Sequence, residues 1–160
     1  MKKNNKNWKV CAELLNEISK EAEWDKAKSM PYDESTDIVT DKVKAVLGRY
    51  GFDNEDKIKV FEDFYYTLYS RLYNKLEKYW LNGTLSERIV GLSDDGFHYF
   101  LNDILAHGYD AYCEVMEDWT AAYKYKNYHE GFEYCIFDYY IFIVCNERIY
   151  KGFSMDIKIF

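Results

Sequence analysis

The chain has 160 residues, of which 48% are hydrophobic and 19% aromatic, and its formal net charge is −7. A disordered chain lacks so many aromatic side chains, so the composition predicts a folded globular protein. The negative charge disfavours direct binding to nucleic acid, because the phosphate backbone attracts Lys and Arg. The length most simply indicates one domain covering residues 1–160.

The scarcity of helix-breaking residues favours helices. One proline and eight glycines occur in the chain, which suits long helices better than a many-stranded sandwich. We expect a mainly α fold, a single helical bundle of about five to six helices. In addition to the helices, we consider a short C-terminal strand at residues 149–160, where Met155, Ile157 and Ile159 alternate weakly with other residues.

Hydrophobic spacing predicts the first three helices. Apolar residues recur every three or four positions over residues 8–26 and line one face. Pro31 ends this region, and a second helix is predicted over residues 38–47. The third helix has the clearest pattern, from its polar N-cap Asn54 to the stop at Gly83.

A cap-like segment opens the fourth helix. Ser93 is a typical N-cap residue, and Asp94 and Asp95 then lie in the first turn, facing the positive end of the helix dipole. We predict that these three residues are structural caps. Gly108 follows the last turn as a left-handed terminator would. A fifth helix is predicted from residue 110 to residue 123.

The same segment carries a family resemblance. Residues 93–100 have the sequence SDDGFHYF, and residues from about 61 to 118 resemble an uncharacterised bacterial family of domains of unknown function. The hallmark of that family is Ser-Asp-Asp-Gly-Phe-x-Tyr-Phe, and its members sometimes stand beside WGR domains. Where the family tends to carry Arg-x-Trp-Leu, residues 101–104 are LNDI. The resemblance implies a mainly helical fold and favours a helix over a strand for residues 130–144, but it implies no chemistry.

Cysteine usage and apolar patterning predict a cytoplasmic protein. A secreted disulfide scaffold of this size would contain a denser set of cysteines than these four. The N-terminus lacks the apolar stretch of a secretory signal. The most apolar window, residues 135–145, contains Asp138 and is too short to cross a bilayer.

Charge is distributed unevenly along the chain. Residues 1–88 have no net charge, whereas residues 89–147 carry −9, and no Lys or Arg occurs between Ile89 and Tyr123. Carboxylates at helical spacing repel one another, so this stretch is typical of a surface for an electropositive partner. A merely solvated acidic face is the alternative. Tyrosines are favoured at interfaces, and the predicted partner-binding residues are Asp103, Asp110, Glu114, Glu117, Asp118, Tyr109 and Tyr112.

Signatures of catalysis and metal binding are weak. The His and Cys spacings match no short zinc-binding pair, and no H-E-x-x-H motif or Gly-rich phosphate loop occurs. Asp94 and Asp95 would hold Mg²⁺ together with Asp103 or Glu114, but helix capping explains the first two with fewer assumptions. We therefore expect no catalytic residue, no metal and no cofactor.

These features predict a non-enzymatic acidic inhibitor that blocks a basic, nucleic-acid-binding surface of a partner protein such as a nuclease. The inhibitor itself is expected to contact neither nucleic acid nor a membrane. A phage anti-defence protein, such as an anti-CRISPR protein, is slightly favoured over a toxin-immunity protein, because the residue usage suits an AT-rich genome. One alternative is a metal-dependent hydrolase built around Asp94, Asp95, His98 and Asp103. Another is a structural or oligomeric protein whose aromatic helices pack between subunits.

Overall fold

The computed structural model describes residues 5–27, 29–89 and 92–125. Within these ranges the chain is mainly α and contains no strand, which confirms the predicted fold class. The predictions for residues 130–144 and 149–160 concern parts of the chain outside the described residues. The helices of the described ranges are α1 (Asn5–Ala22), α2 (Trp24–Ala27), α3 (Tyr32–Arg49), α4 (Glu55–Leu81), α5 (Asp94–Ala106) and α6 (Tyr109–Glu117), with short 3-10 helices at Leu85–Glu87 and Trp119–Tyr125.

Helix α4 is the central helix of the bundle. Helices α1, α5 and α6 all contact it, and α1 and α5 also contact α6, while α3 packs on α1 and α2. Burial of one large apolar side chain contributes about 1.5–3 kcal/mol, so the buried stripe of α4 is a main source of cohesion. That stripe consists of Ile58, Phe61, Phe64, Tyr65, Leu68, Leu72 and Leu76.

Helix α5 runs antiparallel to α4. The Tyr65 hydroxyl, in the middle of α4, donates to Oδ1 of Asn102 near the end of α5 at 2.8 Å. At the other end of the pair, the Trp80 ring stacks on Phe97 with centroids 4.5 Å apart. The Trp80 Nε1–H also donates to the Leu92 carbonyl at 3.0 Å. These contacts fix the start of α5 against the end of α4.

Two helix starts have the caps that the sequence predicts. The Asn54 side chain accepts from the Lys57 backbone N–H at 3.0 Å at the start of α4. The Ser93 hydroxyl oxygen accepts from the Gly96 N–H at 3.2 Å at the start of α5. Asp94 and Asp95 occupy the first turn of α5, as predicted.

Two predicted helices are shorter than their apolar patterns indicate. The first breaks at Glu23, whose backbone takes a positive φ of 47°, and α2 follows it as a separate helix. The fifth ends at Glu117 because Asp118 is extended, with φ −130° and ψ 108°. Asp118 then accepts from the Thr120 N–H at 3.0 Å and from its hydroxyl at 2.8 Å. A short Asp side chain competes with the helix for backbone donors in this way.

Among the described residues, none of the helices has the length and apolar character needed to cross a membrane.

Candidate acidic binding face

Four predicted partner-binding carboxylates gather on and directly after α6. Asp110, Glu114 and Glu117 are spaced by four and three residues, so they share one face of the helix. At about 1.5 Å rise per residue they span about 10 Å along the axis. Asp110, Glu117 and Asp118 are exposed, and Glu114 is half-buried. We call these four residues the acidic face.

Gly108 and Asn16 position the beginning of the acidic face. Gly108 has a φ of +100°, and a Cβ at this position would lie 2.6 Å from Oδ1 of Asn16 in α1. This close approach lets the Asn16 Oδ1 accept from the Asp110 N–H at 3.1 Å, while its Nδ2 donates to the Asp110 carboxylate at 3.1 Å. The sequence predicts Gly108 as the terminator of the preceding helix. In the structure, Gly108 leaves room for Asn16 to cap the start of α6, although Asn16 lies 94 residues before Asp110 in the chain.

Glu114 is held by two side chains of the following 3-10 helix. The Lys124 ammonium donates to one carboxylate oxygen, and the Tyr125 hydroxyl donates to the other at 2.6 Å. These hydrogen bonds, that of Lys124 first, lower the pKa of Glu114 below its ordinary value. Glu114 is therefore ionised at neutral pH, although Lys124 offsets part of its charge.

The two remaining carboxylates differ in their surroundings. The hydrogen bonds from Thr120 lower the pKa of Asp118, and Lys124 and Lys75 lower it further. Glu117 has no hydrogen bond or ion pair to any residue in the described ranges. It is thus the carboxylate of the acidic face whose replacement disturbs the described structure least.

The other three predicted partner-binding residues are not part of the acidic face. Asp103 is half-buried on α5, a separate helix. Tyr109 is half-buried, and its ring stacks on Tyr112 with centroids 5.6 Å apart. Tyr112 is only 5% exposed, so its ring contributes to the core and not to an exposed surface.

The residues of the hydrolase alternative do not form a metal centre in the described structure. Within residues 5–27, 29–89 and 92–125, no group of three or more His, Cys, Asp or Glu side chains is placed to hold a metal ion. His98 shares a hydrogen bond with the Tyr69 hydroxyl through Nδ1. Its ring also stacks on Tyr69 and Tyr73, with centroids 6.0 and 5.8 Å away.

A second polar site has no counterpart in the sequence analysis. An open cavity of about 330 Å³ is lined by Ser19, Glu23, Asp25, Lys26 and His107. Its lining comes from the end of α1, from Asp25 and Lys26 of α2 and from the residue that follows α5. No local motif signals it, because His107 and its partner Asp25 are 82 residues apart in the chain.

No protein-family model, curated protein or solved structure matches the chain. The resemblance carried by residues 93–100 therefore stays a prediction.

Proposed function

We propose that this protein is a non-enzymatic inhibitor whose acidic face binds a basic, nucleic-acid-binding surface of a partner protein. The observation that supports this function best is the arrangement of Asp110, Glu114 and Glu117 on one side of α6, with Asp118 directly after them. No Lys or Arg occurs between residues 92 and 123, and Lys124, which pairs with Glu114, offsets only part of the charge of the acidic face.

Internal hydrogen bonds order carboxylates of the acidic face before a partner binds. Asn16, Tyr125 and Thr120 each hold one of its carboxylates in place. Side chains that are already ordered lose less conformational entropy when a partner binds. Each carboxylate has two oxygens and about four acceptor positions, so it can still accept hydrogen bonds from Lys or Arg of a partner.

The proposed partner is a nuclease with a Lys- and Arg-lined groove. A groove that binds phosphates presents positive charge, and complementary charge accelerates encounter and selects the partner. The residue usage of the chain favours an anti-defence protein, such as an anti-CRISPR protein, over a toxin-immunity protein. We place this encounter in the cytoplasm, where Cys11 and Cys113, which are free thiols in the structure, would stay reduced.

The test measures binding and inhibition with a panel of purified CRISPR effector nucleases and nuclease toxins. Affinity should fall from about 0.05 M to about 0.3 M salt, because exposed charges are screened. If each carboxylate contributes about 0.5 kcal/mol, neutralising all four should weaken binding about thirtyfold. This variant combines Asp110→Asn, Glu114→Gln, Glu117→Gln and Asp118→Asn.

Helix α3 offers a matched control. It carries four exposed carboxylates and packs on α1 and α2. The control variant has the same change of net charge and combines Asp33→Asn, Glu34→Gln, Asp37→Asn and Asp41→Asn. Unchanged binding in the α6 variant would contradict the proposal, as would an equal loss in the α3 variant. Glu117→Gln alone should weaken binding about twofold without removing a described hydrogen bond. The nuclease assignment itself is wrong if no member of the panel binds.

A further inference from the structure

His107 joins two parts of the chain through both of its ring nitrogens. It directly follows α5, and its ring is largely buried, with 21% of the side chain exposed. Nδ1 lies 2.7 Å from the backbone carbonyl oxygen of Asp103. Nε2 lies 3.3 Å from Oδ1 of Asp25 in α2.

Both of these partners are acceptors. A carbonyl oxygen and an ionised carboxylate oxygen have no proton to donate, whereas a neutral imidazole has one N–H and one nitrogen with a lone pair. In either neutral tautomer, one lone pair of His107 would face an oxygen of Asp103 or Asp25. Only the imidazolium, with an N–H on each nitrogen, donates to both.

We propose that the contact between His107 and Asp25 is a proton-dependent latch. It holds α2 against the end of α5 when the imidazole of His107 is protonated, and it releases α2 when the imidazole is neutral. Histidine is the side chain that ordinarily changes charge between pH 5 and 8.

Charged groups of both signs lie around the ring of His107. Asp25 favours the imidazolium, as does the negative C-terminal end of α5, whereas Lys26 opposes it. Hydrogen bonds from Lys42 and Lys26 lower the pKa of Glu23, which stays an anion. Ser19, from α1, carries no charge.

Two further ionisable residues lie on or against this end of α5. The ring of Tyr125 lies 5.1 Å from that of His107, and burial raises the pKa of Tyr125 to about 12, so this phenol stays neutral. Asp103, one turn before His107 on α5, adds a further carboxylate.

The latch acts on a short helix that begins after a strained residue. Helix α2 has only four residues and follows Glu23, which adopts a positive φ that L residues rarely take. Glu23 accepts from Lys42 of α3 at 3.4 Å, and α2 otherwise packs on α1 and α3. Loss of the hydrogen bond between His107 and Asp25 removes a contact between α2 and the end of α5. Helix α2 should then unfold locally more often.

Amide hydrogen exchange by NMR tests the latch directly. The reporters are the N–H groups of Lys26 and Ala27, which donate to the Glu23 carbonyl at 2.9 and 3.0 Å. After correction for intrinsic exchange, their protection in the wild-type protein should be about threefold greater near pH 5.5 than near pH 7.5. Imidazole ¹⁵N shifts should show both His107 nitrogens protonated at the lower pH.

Three variants decide the outcome. Asp25→Asn keeps the shape of the side chain and should abolish the pH dependence of protection, as should His107→Gln. Asp33→Asn, an exposed change in the first turn of α3, should preserve it. The latch is refuted if protection in Asp25→Asn still changes threefold, or if wild-type protection is independent of pH. It is also refuted if one His107 nitrogen remains unprotonated near pH 5.5.

Discussion

Gly108 links two helices that are distant in the chain. Its φ of +100° turns the backbone between α5 and α6. The missing side chain leaves space for Asn16, which approaches closely enough to hydrogen-bond the backbone and the carboxylate of Asp110. The position of the acidic face therefore depends on one backbone conformation and one amide side chain of α1.

Substitution of Gly108 by alanine should destabilise the protein. Gly108→Ala should lower the free energy of unfolding by about 2 kcal/mol or more, because the positive φ is strained for an L residue and the new Cβ would meet Asn16. Urea denaturation measures the change.

Gly48 provides the matched control for this prediction. It lies in α3, and a Cβ there would meet no atom within 4 Å. Gly48→Ala should raise the free energy of unfolding by about 0.5–1 kcal/mol, because alanine is the better helix former. Equal effects of the two substitutions would contradict the role given to Gly108.

At the scale of the helices, the α4–α5 interface contains a buried polar pair. Tyr65 is fully buried and Asn102 is 3% exposed. The hydroxyl of Tyr65 donates to Oδ1 of Asn102, whose Nδ2 donates to the His98 carbonyl at 3.0 Å. Both polar ends of the amide are thus used, which fixes the register of the two helices.

Loss of the Asn102 amide should destabilise the protein. Asn102→Ala should lower the free energy of unfolding by about 2 kcal/mol, because it removes the acceptor of a buried hydroxyl and leaves a small cavity. In a double-mutant cycle with Tyr65→Phe, the combined loss should be smaller than the sum of the single losses. Asn74→Ala, at an exposed position of α4, is the control and should change stability little. Additive losses in the cycle would exclude the coupling.

The helix boundaries show which structural features local sequence patterns predict and which they do not. The apolar stripe and the caps at Asn54 and Ser93 follow from spacing and residue type, and the structure confirms them. The break at Glu23 does not follow, because Glu favours helices and its carboxylate is held by Lys42 from another helix. The stop at Asp118 had a local signal, since Asp two residues before Thr120 is typical of a turn.

At the scale of the whole molecule, the acidic side chains make stability depend on pH. Hydrogen bonds from Lys124 and Tyr125 lower the pKa of Glu114 below its ordinary value of 4.5. Because this pKa is lower in the folded than in the unfolded chain, the contribution of Glu114 is fully present above about pH 4.5. It is lost as the pH falls through the folded-state value. Asp118 and Glu23, whose pKa values are also lowered, act in the same direction.

Removal of the Glu114 carboxylate should therefore flatten the acid side of the stability profile. In Glu114→Gln, the free energy of unfolding should decline less between about pH 5 and pH 3 than in the wild type. Thermal denaturation monitored by circular dichroism at several pH values measures the slope. Glu117→Gln removes the same charge from the same face but no described hydrogen bond. If the two variants give the same slope, the contacts of Glu114 with Lys124 and Tyr125 do not contribute to the pH dependence of stability.

Local sequence patterns predict the helical class, the buried stripe of α4, the caps and the concentration of carboxylates after residue 89. These features depend on periodicity and residue type within a few positions of the chain, which the amino-acid order displays directly. Three further features follow only from the folded chain: Asn16 caps α6, the ring of Tyr112 is buried and His107 contacts Asp25. Those contacts depend on how the helices cross in space, because they join residues that lie on different helices or pack into the common core.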